Sequence, residues 1–499
     1  MATLAELVDR IEASEPAPET LACFDYDGTL IGGYSAQAFY SHRIRNREIG
    51  PIELSRTLLA SVRGIHSDED FATFLELSLG AWKGVPEEQI EALGERLFRS
   101  DIATRLHSEA WELVEAHRRM GHTLALASSA TRFQVEPMAK ELGIEHALST
   151  PVEVIDGMLT GRTAGPPLWG VGKAEAMREL ATTHGLDLDA SFAYSNGGED
   201  IPMLESVAHP VAVEPASVLR DHAEAAGWPV LRCSPRGGRP SPIDLARTVG
   251  FYGAFAGALG VGAGLGLLNR SRELLLEITG GVGADVGLAL AGVKVDILEG
   301  QEHLWSSRPA VFVFNHESNM DAIVMMKLLR GNFTGVAKAE AKNIPGFGQF
   351  FQLAGVAFIE RGNTKQALDA LEPAVAKVRD EGVSLVLSPE GTRSLTPDLG
   401  RFRKGAFHIA MQAGVPIVPI VLRGAGEVLR RNTQTIRPGT IEVAVLAPVR
   451  TDTWKPETVD DHVKEVRDAF IAKRTNWPTH RPHLPAPENG RPPTANGDP

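Results

Sequence analysis

From Leu21 to about Val213 short apolar runs alternate with stretches of helical period: LACFDYD, a long helical region, TLALASSA, a helix, then SFAYSN and another helix. Apolar strands separated by helical crossovers predict an α/β unit with a parallel sheet. The stretch between the first two strands, roughly Ser35 to His107, is too long for a simple crossover and predicts a helical cap over the sheet edge. A second succession starts at Pro309: PAVFVFN, the helix MDAIVMMKLLR, GVAFIE, a helix to Arg379, VSLVLSPEG, VPIVPIVLRG and TIEVAVLAPV. It predicts a second α/β unit.

Between the two the pattern changes. SPRGGRPSP (234–242) reads as a linker, and residues 249–268, VGFYGAFAGALGVGAGLGLL, are uncharged and mostly apolar, long enough as a helix to cross about 30 Å of hydrocarbon. Their glycines recur four apart at Gly253/Gly257, Gly260/Gly264 and Gly262/Gly266, a spacing that lets two helices approach closely in lipid. The next segment, ITGGVGADVGLALAGV, is broken by Asp285 and predicts a helix returning at the interface. A membrane-embedded hairpin is the favoured reading, with a full span and a soluble core helix as alternatives. The expected organisation is therefore 1–240 (cap about 35–107), a helical segment 241–294, a second unit 295–475 and a disordered Pro-rich tail 476–499.

Apolar residues make up 43% of the chain and charged residues 23%, ordinary globular usage that excludes a disordered chain and a multi-spanning protein as starting points. The net charge of −13 is uneven: residues 1–240 hold 21 Lys+Arg against 36 Asp+Glu, whereas 301–475 hold 23 against 19. The acidic first half argues against nucleic acid; the second suits an anionic membrane surface or phosphorylated ligands. Two cysteines, Cys23 and Cys233, are too few for a disulfide framework or a cysteine metal site, which fits a reducing cytosol. The acidic, amphipathic start MATLAELVDRIEASEPAP lacks a signal-peptide pattern, so export is not expected.

Candidate chemistry falls in two constellations. In the first, Asp25 and Asp27 of DYDGT sit two apart where a buried strand ends, the sheet edge at which open α/β folds bind ligands. Ser128 closes the next strand with a hydroxyl for a phosphoryl oxygen, Lys173 can neutralise developing charge, and Asn196-Gly197-Gly198-Glu199-Asp200 follows a third strand. Each alone reads as a turn, a cap or a surface charge; the ordered set reads as a phosphoaspartate site. On these motifs residues 21 to about 240 resemble the haloacid dehalogenase superfamily, in its phosphoserine-phosphatase-like branch with a helical cap on a Rossmann-like sheet. The resemblance implies Asp25 as nucleophile, Asp27 as acid/base, and Mg²⁺ between Asp25, the Asp27 carbonyl and the motif containing Asn196 and Asp200. The family places an aspartate where this chain has Asn196. A neutral amide is a poorer ligand for a hard cation, so a weak or narrow phosphatase is expected, with Glu199 and Asp200 as sources of the missing charge. A non-catalytic, regulatory first unit stays open as an alternative.

In the second constellation the strand AVFVF runs into Asn315-His316-Glu317-Ser318-Asn319-Met320-Asp321. Five residues of regular helix would leave His316 and Asp321 about 140° apart, so they meet only across a turn, with Ser318 or Asn319 as N-cap and Asp321 in the first helical turn. An imidazole oriented by a carboxylate is a general base for an alcohol attacking a carbonyl, without a covalent acyl intermediate. Arg361 in FIER and Arg393 in SPEGTRS supply cations beside glycine turns, suited to a phosphorylated acceptor. Together NHESNMD, FIER, PEGTRS and VPIVPIV make residues 295–475 similar to the 1-acylglycerol-3-phosphate acyltransferases of the glycerophospholipid acyltransferase family. That resemblance implies an α/β glycerolipid acyltransferase unit with His316 as base and Asp321 as its orienting partner. It sets Arg361, Glu390, Gly391 and Arg393 around the acceptor phosphate and lets Pro419 shape a late strand. Lys338 is a further cation for the pocket and Lys404 a lesser one; Ser388 stands where the family usually has phenylalanine. The expected reaction moves a fatty acyl group from acyl-CoA or acyl carrier protein to lysophosphatidic acid, at the cytoplasmic face of the membrane. A phosphomonoesterase as the main activity is the alternative.

Overall fold

The computed structural model describes residues 2–50, 68–233, 240–343, 347–359 and 372–477. The chain divides into two compact units at Gly238/Arg239. Most of the linker, the FIER arginine and the residues after Trp477 lie outside the described residues.

The first unit is built on a six-stranded sheet, β1 (Thr20–Asp25), β2 (Thr123–Thr131), β3 (His146–Thr150), β6 (Asp187–Ser195), β7 (His209–Val213) and β8 (Val230–Leu231), in the order β3-β2-β1-β6-β7-β8 with every pairing parallel. The central strand β1 is buried at every position, which is why TLACFD shows no alternation: helices cover both faces of a parallel sheet. Between β1 and β2 stand helices Ala36–Arg45, Asp68–Gly80 and Glu87–Ser100 and a turn of 3₁₀ helix at Ile102–Arg105. A two-stranded antiparallel ribbon, β4 (Val152–Ile155) and β5 (Met158–Thr163), joins this helical region, with the Gly84 N–H donating to the Leu159 carbonyl at 2.8 Å. Its turn, Asp156-Gly157, has positive φ at both residues, the conformation that Asp-Gly favours in two-residue hairpins.

The second unit carries a seven-stranded sheet of β9 (Val293–Glu299), β10 (Val311–Phe314), β11 (Phe333–Lys338), β12 (Ala357–Ile359), β13 (Ser384–Leu387), β14 (Ile417–Arg423) and β15 (Gly439–Val445). The order is β12-β11-β13-β10-β14-β15-β9, parallel except where β15 runs against β14. Fully buried VFVF of β10 is flanked by β13 and β14, so the loops after these strands open at one edge of the sheet. Pro419 is paired with Val313 across β10 and β14. β9 and β11 were not legible in the sequence, since β9 (VKVDILE) and β11 (FTGVAK) carry charges and glycine where a parallel strand is usually apolar.

The apolar segment forms one helix, Pro242–Asn269, capped by a reciprocal Ser241/Asp244 pair, and a second helical stretch, Glu273–Ala291, with a turn of π-helix at Ile278–Val282. Both are long and apolar enough to cross a membrane, and only 17% of the apolar window of the first is buried against protein. Of the glycine pairs singled out above, Gly262/Gly266 meets the second stretch, where a Cβ would come 3.0 Å from the Leu275 carbonyl and 3.2 Å from Leu275 Cβ respectively. Gly253, Gly257, Gly260 and Gly264 face open space instead. The reciprocal contact uses Gly283 and Gly287 of the returning helix, which admit the rings of Phe255 and Phe251. Close approach in this hairpin is thus shared between one pair on each arm.

Candidate functional site

In the first unit Asp25 is the last residue of β1, and the turn behind it is held by Thr29, whose hydroxyl donates to Asp25 Oδ2 at 2.7 Å and to Asn196 Oδ1 at 3.2 Å. Lys173, near the start of helix Val171–His184, bridges Asp25 Oδ1 (2.6 Å) and Asp200 Oδ2 (2.7 Å), all three side chains being buried. Ser195 Oγ adds a bond to Asp200 Oδ2 at 2.6 Å, while Asp200 Oδ1 is buried with no hydrogen-bond partner. Ser128 is buried in β2, its Oγ accepting the Ala130 N–H. The structure therefore gathers Asp25, Lys173, Asn196 and Asp200 from four separate elements at one sheet edge.

Asp27 points to Ser35, accepting its N–H at 2.6 Å and its hydroxyl at 3.0 Å, and Gln134 Nε2 backs that hydroxyl at 3.1 Å. Burial pushes Asp27 up to about 7; the Ser35 N–H opposes the rise and the Asp25 charge adds to it. A carboxyl that titrates near neutrality can both give and take a proton. Burial raises Asp25 as well, against the pull of Lys173. Burial works against the Lys173 charge, but Asp200 and Asp25 outweigh it and hold its pKa above the ordinary lysine range. Ser35 and Gln134 were not found from the sequence, because a serine before a helix reads as a cap.

The residues present fit a hard divalent cation. Asp25, Asp200, Asn196 and the Asp27 carbonyl are all oxygen donors, and the unpartnered, buried Asp200 Oδ1 is an acceptor with no protein donor. Asn196 lies against Gly28, whose φ is +88° and whose added Cβ would fall 2.1 Å from Asn196 Nδ2.

In the second unit His316 leaves β10 and Asp321 lies in the first turn of helix Met320–Leu329, with Asn319 at the N-cap position. The turn between them does what regular helix could not: His316 Nδ1 and Asp321 Oδ2 are 2.8 Å apart. The same oxygen accepts the Glu317 and Ser318 N–H groups, each at 2.9 Å, so a fully buried carboxylate is fixed by three donors. Asn315 locks the start of the loop onto β14, its side chain accepting from the Leu422 N–H and donating to the Leu422 carbonyl. The His316 side chain keeps 25% of its surface exposed, enough for a ligand to reach Nε2.

The PEGTRS loop after β13 wraps this motif. Ser394 donates its N–H (2.9 Å) and hydroxyl (3.4 Å) to the His316 carbonyl, which sets Arg393 beside it. Burial, then the nearby Arg431, lowers the Arg393 pKa below the usual arginine range. Gly391 has φ +67°, and a Cβ there would meet Arg403 Nε at 3.1 Å, so glycine is required by both conformation and space. Glu390 was expected around an acceptor phosphate; the structure gives it other partners. Its Oε1 accepts the His316 N–H and its Oε2 the Gly400 N–H, as suits a carboxylate that would repel a phosphate. Lys404 pairs with Asp460 at 2.7 Å, its side chain half exposed. Lys338 ends β11, and Arg361 lies outside the described residues.

Glu317, next to the imidazole, is the group that sequence reasoning passed over. Its carboxylate accepts from Asn315 Nδ2 at 3.1 Å and lies 3.9 Å from Arg474 of the terminal helix Val459–Thr475. Burial pushes it up to about 7; Arg474 opposes the rise, and Asp321, Glu427 and Glu390 add to it.

Comparison with known proteins divides the chain in the same two places. A family model described as haloacid dehalogenase-like hydrolase matches residues 22–205, and one described as Acyltransferase matches residues 297–423. A 1-acyl-sn-glycerol-3-phosphate acyltransferase of Limnanthes alba is 37% identical over 182 residues, 36% of this chain and 64% of that protein. The chain thus spans just under two thirds of that relative's length. The enzyme of the same description from Saccharomyces cerevisiae is 30% identical over 44% of this chain and 71% of its own. Among solved structures, the 1-acyl-sn-glycerophosphate (LPA) acyltransferase PlsC of Thermotoga maritima is 24% identical with a TM-score of 0.41, covering 47% of this chain and 98% of that one.

Proposed function

We propose, because this chain belongs to the 1-acyl-sn-glycerol-3-phosphate acyltransferase family, that its second unit transfers a fatty acyl group from an acyl-CoA or acyl carrier protein thioester to lysophosphatidic acid, giving phosphatidic acid. The 2.8 Å contact between His316 Nδ1 and Asp321 Oδ2 carries this reading. With Asp321 accepting from Nδ1, the lone pair of Nε2 faces the acceptor. The acceptor hydroxyl gives its proton to Nε2 as its oxygen bonds the thioester carbonyl carbon. The C–S bond then breaks, and the thiolate leaves with the proton from the imidazolium, whose charge Asp321 stabilises throughout. Arg393 holds the acceptor phosphate, with Arg361, Lys338 and the Gly391 turn assigned to the same head group by their motifs. The hairpin Pro242–Ala291 lies in the cytoplasmic leaflet, a monotopic anchor supported by Leu267 and Leu268, each more than four fifths exposed.

The test is acyl transfer by the full-length protein in mixed micelles of lysophosphatidate with acyl-CoA. Phosphatidic acid should form with the wild type and vanish with His316→Ala; undiminished product from the variant would remove the base from the reading.

For the first unit, the haloacid dehalogenase-like residues 22–205, the reading is phosphomonoester hydrolysis, supported by Lys173 lying on both Asp25 and Asp200. Asp25 attacks phosphorus, and Asp27 protonates the leaving oxygen and then takes a proton from water. Mg²⁺ held by Asp25, the Asp27 carbonyl, Asn196 and Asp200 would supply charge to neutralise the phosphoryl oxygens. Phosphate release that is equal in wild type and Asp25→Asn would exclude it.

A further inference from the structure

A second set of metal-ligating side chains converges in the first unit, sharing no residue with Asp25, Asn196 and Asp200. The ligand atoms of His107, Glu109 and Cys233 all lie within 4.8 Å of one another. His107 occupies the N-cap position of helix Ser108–Arg119 without capping it through its side chain, and Glu109 lies in the first turn. These two residues are 5% and 4% exposed; Cys233, two residues beyond β8, is partly buried. An acid in a first turn is ordinarily solvated, whereas here a carboxylate, an imidazole and a thiol are brought together out of water.

The backbone under the ligands is fixed. His107 donates its N–H to the Leu30 carbonyl at 2.9 Å, and Leu106 pairs with Ile31, so the histidine is fastened to the loop that follows Asp25 and Asp27. Cys233 donates its N–H to Oε1 of Glu214, the residue after β7, at 2.6 Å, and Arg232 binds the other oxygen at 3.3 Å. Ser108 Oγ donates to Glu109 Oε2 at 3.2 Å, the kind of contact that orients a ligating carboxylate.

One nitrogen, one oxygen and one sulfur form a borderline donor set. Thiolate and carboxylate together match the charge of a dication, and the imidazole adds a neutral donor. Sulfur disfavours Mg²⁺ and Ca²⁺, which take oxygen, and suits Zn²⁺. With Zn²⁺ bonds of about 2.0–2.3 Å, tetrahedral donors stand roughly 3.5 Å apart, so side-chain shifts on the order of 1 Å close the site. A single cysteine suffices because histidine and glutamate supply the other donors.

We infer that His107, Glu109 and Cys233 form a site for one zinc-class divalent cation, with water in the fourth position, which clips the residues leaving β8 to the start of helix Ser108–Arg119. The thiol releases its proton to solvent as sulfur binds the metal. The role is structural and independent of both activities proposed above.

The experiment uses the full chain, reduced and stripped with a chelator, in excess Mg²⁺ to fill the oxygen-donor site around Asp25 and Asp200. Added Co²⁺ should produce a thiolate-to-metal charge-transfer band that saturates at one equivalent and is erased by Zn²⁺, which should also raise the melting temperature. In Cys233→Ser the band should vanish, and Zn²⁺ should bind at least about tenfold more weakly in competition with a chromophoric chelator. His107→Gln and Glu109→Gln should weaken Zn²⁺ binding by a similar factor. No band in the wild type, a band that survives Cys233→Ser, or one Zn²⁺ affinity across wild type and all three variants overturns the inference. If Cys233→Ser without metal does not melt like wild type, the wild-type spectrum decides: a band supports the site and its absence overturns it. The other thiol cannot supply that band, because Cys23 is fully buried in β1 and burial pushes it up to about 12.

Discussion

Glu390 lies beneath His316, its Oε1 accepting the backbone N–H of the histidine at 2.7 Å while Oε2 holds Gly400 at 2.8 Å. The acid therefore acts on the backbone under the base. Glutamine can accept at only one of the two positions, and alanine at neither. Glu390→Gln should keep part of the acyl transfer, whereas Glu390→Ala should lose at least about tenfold in kcat and melt lower, since two half-buried N–H groups lose their acceptor. Steady-state rates and thermal melts of the two variants check this; equal behaviour would show that the carboxylate has no bracing role.

Asp321→Asn tests the tautomer. An amide at that position can present an N–H to Nδ1 and hold the proton on Nε2, the wrong nitrogen for a base. Loss of kcat by about 10² or more is expected with KM for the acceptor little changed, measured by phosphatidic acid formation.

Glu317 makes the second unit sensitive to pH. Its folded pKa of about 7 lies above the ordinary 4.5, so the folded chain binds more protons than the unfolded chain between these values. Stability conferred by the neutral form is full below about 4.5 and is lost as pH rises through 7. Glu317→Gln mimics the neutral form and should melt with a flatter pH profile than wild type from pH 5 to 8. Parallel profiles would rule out this residue as the titrating group.

His117 gives the first unit the opposite slope. It is fully buried, bonded to Tyr194 Oη at 2.7 Å and to His122 at 2.8 Å, and burial, then His122, holds its pKa well below 6.5. The unfolded chain binds its proton first, so stability falls as pH drops below 6.5. His117→Gln should lessen acid destabilisation between pH 6.5 and 5 even if it melts lower at pH 7.5, as followed by circular dichroism of the full chain.

Asn196→Asp adds a charged oxygen among Asp25, Asp200 and the Asp27 carbonyl. Tighter Mg²⁺ binding, by about tenfold, is expected from calorimetry, with acyl transfer unchanged. Gly28→Ala should act in the reverse sense, because its Cβ would displace the Asn196 side chain. An affinity that does not move in Asn196→Asp would show that position 196 does not face the ion.

Much of this architecture could be read from the chain because parallel strands are apolar throughout and carry their functional groups at one end. TLACF followed by two aspartates and AVFVF followed by Asn-His are the same signal on two sheets. The pairing of His316 with Asp321 was legible as a requirement for a turn, and the structure supplies it with Ser318 and Asn319. The β4–β5 ribbon is an antiparallel insertion between parallel crossovers, marked in the sequence only by Asp156-Gly157 between VEVI and MLT. Long-range partners left no local trace: Gln134 behind the Ser35 hydroxyl, Ser394 on the His316 carbonyl and Arg474 beside Glu317 arise from tertiary packing across intervals that no periodicity encodes. The partners of Glu390 left no trace for a related reason, as backbone N–H groups do not appear in a sequence of side chains.

Asp285, the charge that interrupts the returning apolar helix, binds Lys327 Nζ at 2.5 Å and Arg330 Nη2 at 2.8 Å. Lys327 lies in helix Met320–Leu329 and Arg330 just past its end, while Asp321 lies in its first turn. Ten residues of helix make a strut about 15 Å long, with the apolar hairpin bolted to one end and the His316 ring steered from the other. Were the hairpin to settle in a leaflet as proposed, its depth would fix the height of the His316 ring above the acyl chains, and a substrate would have to rise to meet it.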